Sequence, residues 1–349
     1  VLFNLERDFG DVVEGYVIPD GFSERPHIVV ADHQGAIVTL PCDQLRPAVV
    51  ASGRHETGEV GFRLDESNVP NLGQRTTLSV HDQKSGLLVY RRPRPFFQVD
   101  MKVIRLETQL LPMIKLDQYL GGSFQYALQS VERFGHETTL QAFHLNAVDS
   151  IYLSGRLLLR NYQQFFDKGF KGIVLLTDPY YELATRIAIL KRMARSTPKF
   201  LGDRDRLMLN PAAQFFEDLD LDDPAAINRS LRKAPEKVRN VLISPTTRQL
   251  ACSTPEQLPT RREIAAAIDL LSRFEIVGHN NDTLPFANAI SELLGVETNG
   301  MLIAEPHVLV ERLAGTLRTM PIAELLLEDD LIFDYYVRQA TQLRHSQLS

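Results

Sequence analysis

Thr177, Asp178 and Pro179 stand where this chain best places chemistry. They follow the apolar run Ile173-Val174-Leu175-Leu176, which suits a strand buried on both faces. Beyond them Leu183, Ile187, Leu190 and Met193 recur at spacings of three or four, which predicts an amphipathic helix. Thr or Asp caps a helix, and Pro suits its first turn. A buried strand that delivers the chain to an exposed helix N-terminus is an anion site, because unpaired N–H groups and the helix dipole point at whatever sits there. A second corner of this kind is expected at Gly121-Gly122-Ser123. There Met101 to Leu106 reads as a strand, and Phe124, Ala127, Leu128 and Val131 read as one face of a following helix. A strand, a Gly-Gly-hydroxyl turn and a helix are general apparatus for cradling phosphate. Arg156 and Arg160, one turn apart on an expected helix that runs from Ser154 to near Lys168-Gly169, could reach a phosphate or sulfate; a solvated face is the commoner use of such a pair.

The elements that must hold these corners fall into two expected domains, 1–95 and 96–349. From Asp11 to Arg92 the chain shows short β segments at 12–18, 27–31, 36–40, 60–64, 77–80 and 87–90, separated by turn residues such as Pro19-Asp20-Gly21. Strands this frequent, without helical periods between them, predict a small antiparallel β-sandwich. Arg91-Arg92-Pro93-Arg94-Pro95 reads as a stiff, solvated linker. His27, His33, His55 and His81 are scattered over different strands and turns and read as surface or satisfied core residues. In the second domain a helix is expected from His136, an acidic run at 217–223 is followed by a short helix to Lys233, and strands are expected at 241–245 and 249–253. A helix at 259–274 then leads to a strand, turn and helix over 274–294.

With 349 residues, 44% hydrophobic and 23% charged, the chain has the composition of an ordinary globular protein. With a net charge of −6 and no concentrated basic patch, no nucleic-acid partner is expected. No apolar run approaches the length of a membrane span. Cys42 and Cys252 are far apart and lack metal-ligand spacing, so free buried thiols, no metal and a cytoplasmic setting are expected. The chain starts at Val1 rather than Met, so the lack of a signal peptide proves little.

The segment Leu175-Leu176-Thr177-Asp178-Pro179-Tyr180-Tyr181-Glu182-Leu183-Ala184-Thr185 resembles the 3′-phosphate-binding segment of sulfotransferases that use 3′-phosphoadenosine 5′-phosphosulfate. In that family a buried strand ends in Arg-Asp-Pro and a Ser follows seven residues after the Asp. Here Asp178 and Pro179 match, Thr185 stands at the Ser position, and Thr177 takes the place of the Arg, whose charged fork no Thr reproduces. Arg186 is the nearby cation that could compensate. Gly121, Gly122 and Ser123 are similar to the family's 5′-phosphosulfate loop, with Tyr119 in place of its Lys. Phe274, Val277 and Gly278, then Leu293-Leu294-Gly295 and the closing segment 326–336, resemble the family's later architecture.

The resemblance implies an α/β fold, a parallel sheet flanked by helices, P-loop-related and preceded by the β-sandwich. It implies a sulfonate donor held by Tyr119, Gly121, Gly122, Ser123, Thr177, Asp178, Thr185 and Arg186, and a glycan or polysaccharide hydroxyl as acceptor. A His or Glu near the donor takes the acceptor proton in that family, which makes His136, Glu137 and His144 the candidates here; a capping or surface place is the commoner use of each. Glu14-Gly15-Tyr16-Val17 with Gly58-Glu59-Val60-Gly61-Phe62 is similar to small β-domains of bacterial glycan-modifying enzymes. That β-module reads as a scaffold or homo-oligomerisation module, or as a carbohydrate-binding one. A non-catalytic glycan-binding or polysaccharide-assembly protein is the alternative reading. A nucleotide-sugar glycosyltransferase is the third, but Asp220-Leu221-Asp222 lies in an acidic polar stretch and not at a strand end.

Overall fold

The computed structural model describes the backbone of residues 1–348 and the side-chain surroundings of residues 1–341. Its first eight strands are β1 (Leu2–Asp8), β2 (Val13–Ile18), β3 (His27–Asp32), β4 (Gly35–Pro41), β5 (Gln44–Leu45), β6 (Glu59–Leu64), β7 (Ser79–Asp82) and β8 (Leu88–Arg91), with a short helix α1 (Pro47–Ala51) between β5 and β6. They form two antiparallel four-stranded sheets, ordered β1-β2-β6-β5 and β4-β3-β7-β8. Alternation sets their faces: Ile28 and Val30 of β3 and Val80 of β7 are fully buried, while the residues between them are half-exposed. The expected antiparallel β-module is therefore present. Its first strand was not expected, because Glu6-Arg7-Asp8 give β1 the polarity of a loop; it survives as a charged edge strand. Gly15 allows β1 and β6 to approach β2, since a Cβ there would stand 2.5 Å from the Asn4 carbonyl and 2.7 Å from the Phe62 ring.

The chain continues through β9 (Lys102–Leu106), α2 (Ile114–Gly122), β10 (Tyr126–Leu128), α3 (His136–Phe143), β11 (Ile151–Gly155), β12 (Phe170–Leu176) and α4 (Pro179–Arg195). Helices α5 (Asp203–Phe216), α6 (Pro224–Lys233), α7 (Glu236–Arg239), α8 (Pro245–Ala251) and α9 (Arg261–Leu271) lead to β13 (Phe274–His279), followed by α10 (Thr283–Leu294), α11 (Val308–Leu317) and α12 (Pro321–Leu348). Strands β9 to β13 form one five-stranded sheet in the order β10-β11-β9-β12-β13, in which β10–β11, β9–β12 and β12–β13 pair in parallel. The apolar stripe of α4, Leu183, Ile187, Leu190 and Met193, packs with Phe216, Ile227, Leu231, Leu313, Leu317 and Leu327. Each such side chain contributes roughly 1.5–3 kcal/mol on burial.

By compactness the chain divides into two units. One comprises Val1–Met101, Leu120–Gln129 and Phe134–Leu153; the other comprises Lys102–Tyr119, Ser130–Arg133 and Ser154–Ser349.

Four local expectations are corrected. Phe124 does not open a helix; α2 ends at Gly122 and β10 follows. Ser154 belongs to β11, all five residues of which are buried, and only 159–165 coil, as a 3-10 segment. The Leu-rich stretch after Gly155 carries a helical period, but its backbone is still extended at Leu158, where the 3-10 segment begins. Residues 241–253 hold no strand: Ser244, in the left-handed region at φ 35°, turns the chain into α8, whose Pro245 occupies the first helical turn. Finally, within Arg91 to Pro95 the prolines are exposed as expected, but the arginines are bound into the fold. Arg92 pairs with Asp8 through Nε and Nη2, each at 2.9 Å, and donates to the carbonyls of Gly10, Leu72 and Arg75.

Candidate functional site

Strands β9, β12 and β13 run parallel, with Val174 opposite Leu106 and Leu176 opposite His279, so their carboxyl ends lie side by side. Ligands of open α/β sheets bind outside these ends. Three turns leave them: 107–113 into α2, 177–178 into α4 and 280–282 into α10.

The turn after β9 is the strand-to-helix corner that Gly121 was expected to supply. Three of its amides are already engaged. Glu107, fully buried, accepts from Gln109 N at 3.2 Å and from Met113 N at 2.9 Å. Glu182, from the first turn of α4, accepts from Leu110 N at 3.0 Å. Beneath them Arg105, also fully buried, forks onto Asp117 at 2.5 and 2.6 Å and reaches Glu107 at 3.2 Å. Burial pushes the Glu107 carboxyl above its ordinary range against the pull of Arg105. Burial likewise raises Glu182 to about 7, against Arg186, which lies 2.7 Å away one helical turn on. The polar floor extends to α8 and α12. Gln249 Nε2 donates to the Glu107 carbonyl at 2.5 Å, and Asp330 accepts from Thr246 N at 3.1 Å and Thr247 N at 2.7 Å.

At the end of β12 the cap forms as expected. Asp178 accepts from Tyr181 N at 3.0 Å, and it also receives Arg318 Nη2 at 3.0 Å. Thr185 is buried and donates to the Tyr181 carbonyl at 2.9 Å, inside its own helix. Arg186 is committed to Glu182 and reaches the Val241 carbonyl at 3.4 Å. Thr177 Oγ1, and Asn280 Oδ1 at the end of β13, are buried with no hydrogen-bond partner among the described residues.

The remaining expected residues serve other contacts. Gly121 and Gly122 close α2, so the Gly-Gly-Ser turn presents carbonyls where a phosphate cradle needs amides. The Gly121 carbonyl accepts from Arg91, the Gly122 carbonyl from Arg94, and the Ser123 carbonyl from Val99 N. Gly121 is small because a Cβ there would stand 2.6 Å from Gln129 Nε2. Tyr119 donates its hydroxyl to the Glu297 carbonyl at 2.8 Å. His136 and Glu137 open α3 and His144 caps its end; Glu137 pairs with Arg54 at 3.1 Å, and all three are exposed. Gly121, Gly122, Ser123, His136, Glu137 and His144 belong to the unit containing Val1; Tyr119, Thr177, Asp178, Thr185 and Arg186 belong to the other. Asp220 accepts from Asp222 N in the turn between α5 and α6, and Asp222 pairs with Arg312.

Glu107, Arg105 and Glu182 went unnoticed in the sequence. The signal that could have found them is a charged residue flanked by apolar ones, as in Val103-Ile104-Arg105-Leu106-Glu107. The donor set of this corner does not suit a phosphosulfate: the amides of Gln109, Leu110 and Met113 are already held by Glu107 and Glu182. Comparison of the chain with protein-family models, curated proteins and solved structures finds no match.

Proposed function

We propose that this chain is a non-catalytic protein on a sulfotransferase-like α/β scaffold, which binds a glycan or takes part in polysaccharide assembly instead of transferring sulfonate. One observation carries the reading: the amides of Gln109, Leu110 and Met113, where a donor's charged group would be gripped, are held by Glu107 and Glu182. Supporting it, Thr177 brings no charge to the corner after β12, and Arg186 is spent on Glu182. The β-module supplies the surface on which a glycan-binding role would rest.

Calorimetry with adenosine 3′,5′-bisphosphate tests this. No heat is expected up to about 1 mM ligand. Micromolar binding that Thr185→Ala or Ser123→Ala abolishes would overturn it. A second titration with bacterial acidic polysaccharides is expected to give binding by the whole chain.

Sulfonate transfer from 3′-phosphoadenosine 5′-phosphosulfate is the second reading. It is favoured by the unpartnered Thr177 Oγ1 and Asn280 Oδ1 at the ends of adjacent strands, groups that a polar ligand would satisfy. The same titration decides between the two.

A further inference from the structure

We infer that the unit containing Val1 carries a pocket for an acidic sugar residue, a hexose bearing a carboxylate or sulfate, with Arg91 as its anion contact. This deepens the glycan-binding reading and rests on it. A cavity of about 540 Å³ opens in that unit, lined among others by Asn4, Tyr90, Arg91, Gln125, Tyr126 and Asn146. Its size is that of an ordinary small-molecule site.

The charge in this cavity is unbalanced. Arg91 is half-buried, and its Nη1 donates to two neutral groups, the carbonyls of Phe124 at 2.7 Å and Gly121 at 3.1 Å. No carboxylate among the described residues pairs with it. Asp8 also lines the cavity, but it is consumed by Arg92, the Tyr90 hydroxyl at 2.6 Å and the Gly10 amide at 2.7 Å. Arg94 adds a second cation nearby, bonded to the Gly122 carbonyl. Burial and Arg94 together depress the Arg91 pKa, which marks a charge lacking its counter-ion. A guanidinium in that position selects an anion, and its planar fork matches a carboxylate or sulfate.

The rest of the lining selects a sugar over a bare ion. Asn4, Gln125 and Asn146 each carry a side-chain donor and acceptor, the pair of functions that a ring of hydroxyls requires. The Tyr126 hydroxyl is buried with no hydrogen-bond partner among the described residues, and its ring stacks on Phe3 at 5.8 Å. Tyr90 and Tyr126, both largely buried, form the inner wall of the cavity.

The chain has no Trp, so tyrosine fluorescence and calorimetry of the full chain read the site directly. The probes are glucuronate, glucose 6-sulfate, glucose and inorganic sulfate. Either charged sugar is expected to bind at least about tenfold more tightly than glucose or sulfate, a difference of about 1.4 kcal/mol. Arg91→Gln should abolish that preference. Because Arg91 also braces local carbonyls, Asn146→Ala, at an exposed loop position, serves as the second variant; it should weaken the charged sugar several-fold with unchanged melting temperature. Glucose equal to glucuronate, sulfate equal to glucose 6-sulfate, or no change in either variant would each overturn the pocket. Polysaccharide binding that survives both variants would overturn the pocket and leave the glycan-binding reading intact. Acidic-sugar binding without polysaccharide binding would do the reverse.

Discussion

The Glu182 carboxylate accepts a 3.0 Å hydrogen bond from the amide of Leu110, a residue 72 positions earlier in the chain. That bond joins the first turn of α4 to the turn after β9 and occupies one of that turn's amides. It also places a carboxyl in full burial with a single guanidinium, Arg186, for compensation. The consequences are measurable.

Stability should fall as pH rises through neutrality. Glu182 has a folded pKa of about 7 against an ordinary value of 4.5, so the folded chain keeps a proton that the unfolded chain has released. This stabilisation is fully present below the unfolded value and is lost as pH rises through 7. The raised Glu107 acts in the same direction. Urea unfolding midpoints between pH 5 and pH 8 should decline by an amount equivalent to roughly 3 kcal/mol. Glu182→Gln, which keeps an acceptor for Leu110 N, should flatten the profile.

Arg105→Ala should be severe. The side chain is fully buried and neutralises Asp117 while supporting Glu107. Removing it takes the shared guanidinium away from two buried carboxylates, at a cost of about 3–5 kcal/mol. A melting curve within a few degrees of the parent would refute the assignment.

Gly155→Ala tests the end of β11. Gly155 sits at φ +138°, a Cβ there would stand 2.6 Å from the Val131 amide nitrogen, and the Glu132 carboxylate lies closer still. Strain and overlap together should cost upward of about 2 kcal/mol by urea unfolding, well beyond an ordinary Gly→Ala change.

Asp178→Ala should be milder. It removes the α4 cap and the contact with Arg318, both partly exposed to water. A loss of about 1–2 kcal/mol is expected. Asp178→Asn, which retains the capping oxygen, should recover most of it in the same assay.

Much of the scaffold was legible because its signals are local. The alternation of Ile28 and Val30 fixed β3, the run Ile173 to Leu176 fixed the core of β12, and Asp178-Pro179 with Leu183, Ile187, Leu190 and Met193 fixed α4 and its start. Phe274 to Leu294 gave a strand, turn and helix as its pattern predicted. Only packing determined that Gly121-Gly122 close a helix, because glycines punctuate either end and the choice depends on whether 114–120 or 124–131 can bury an apolar face.

By itself the sequence determined which segments are strands and helices wherever periodicity and capping residues agree, since those preferences act between neighbours a few positions apart. The tertiary structure alone decided which anion meets which amide. Glu107, Leu110 and Glu182 are brought together by the parallel pairing of β9 with β12, and no short-range pattern records a contact across 72 residues. The same holds for Arg91, which has no carboxylate partner among the described residues because Asp8 is claimed by its neighbour Arg92.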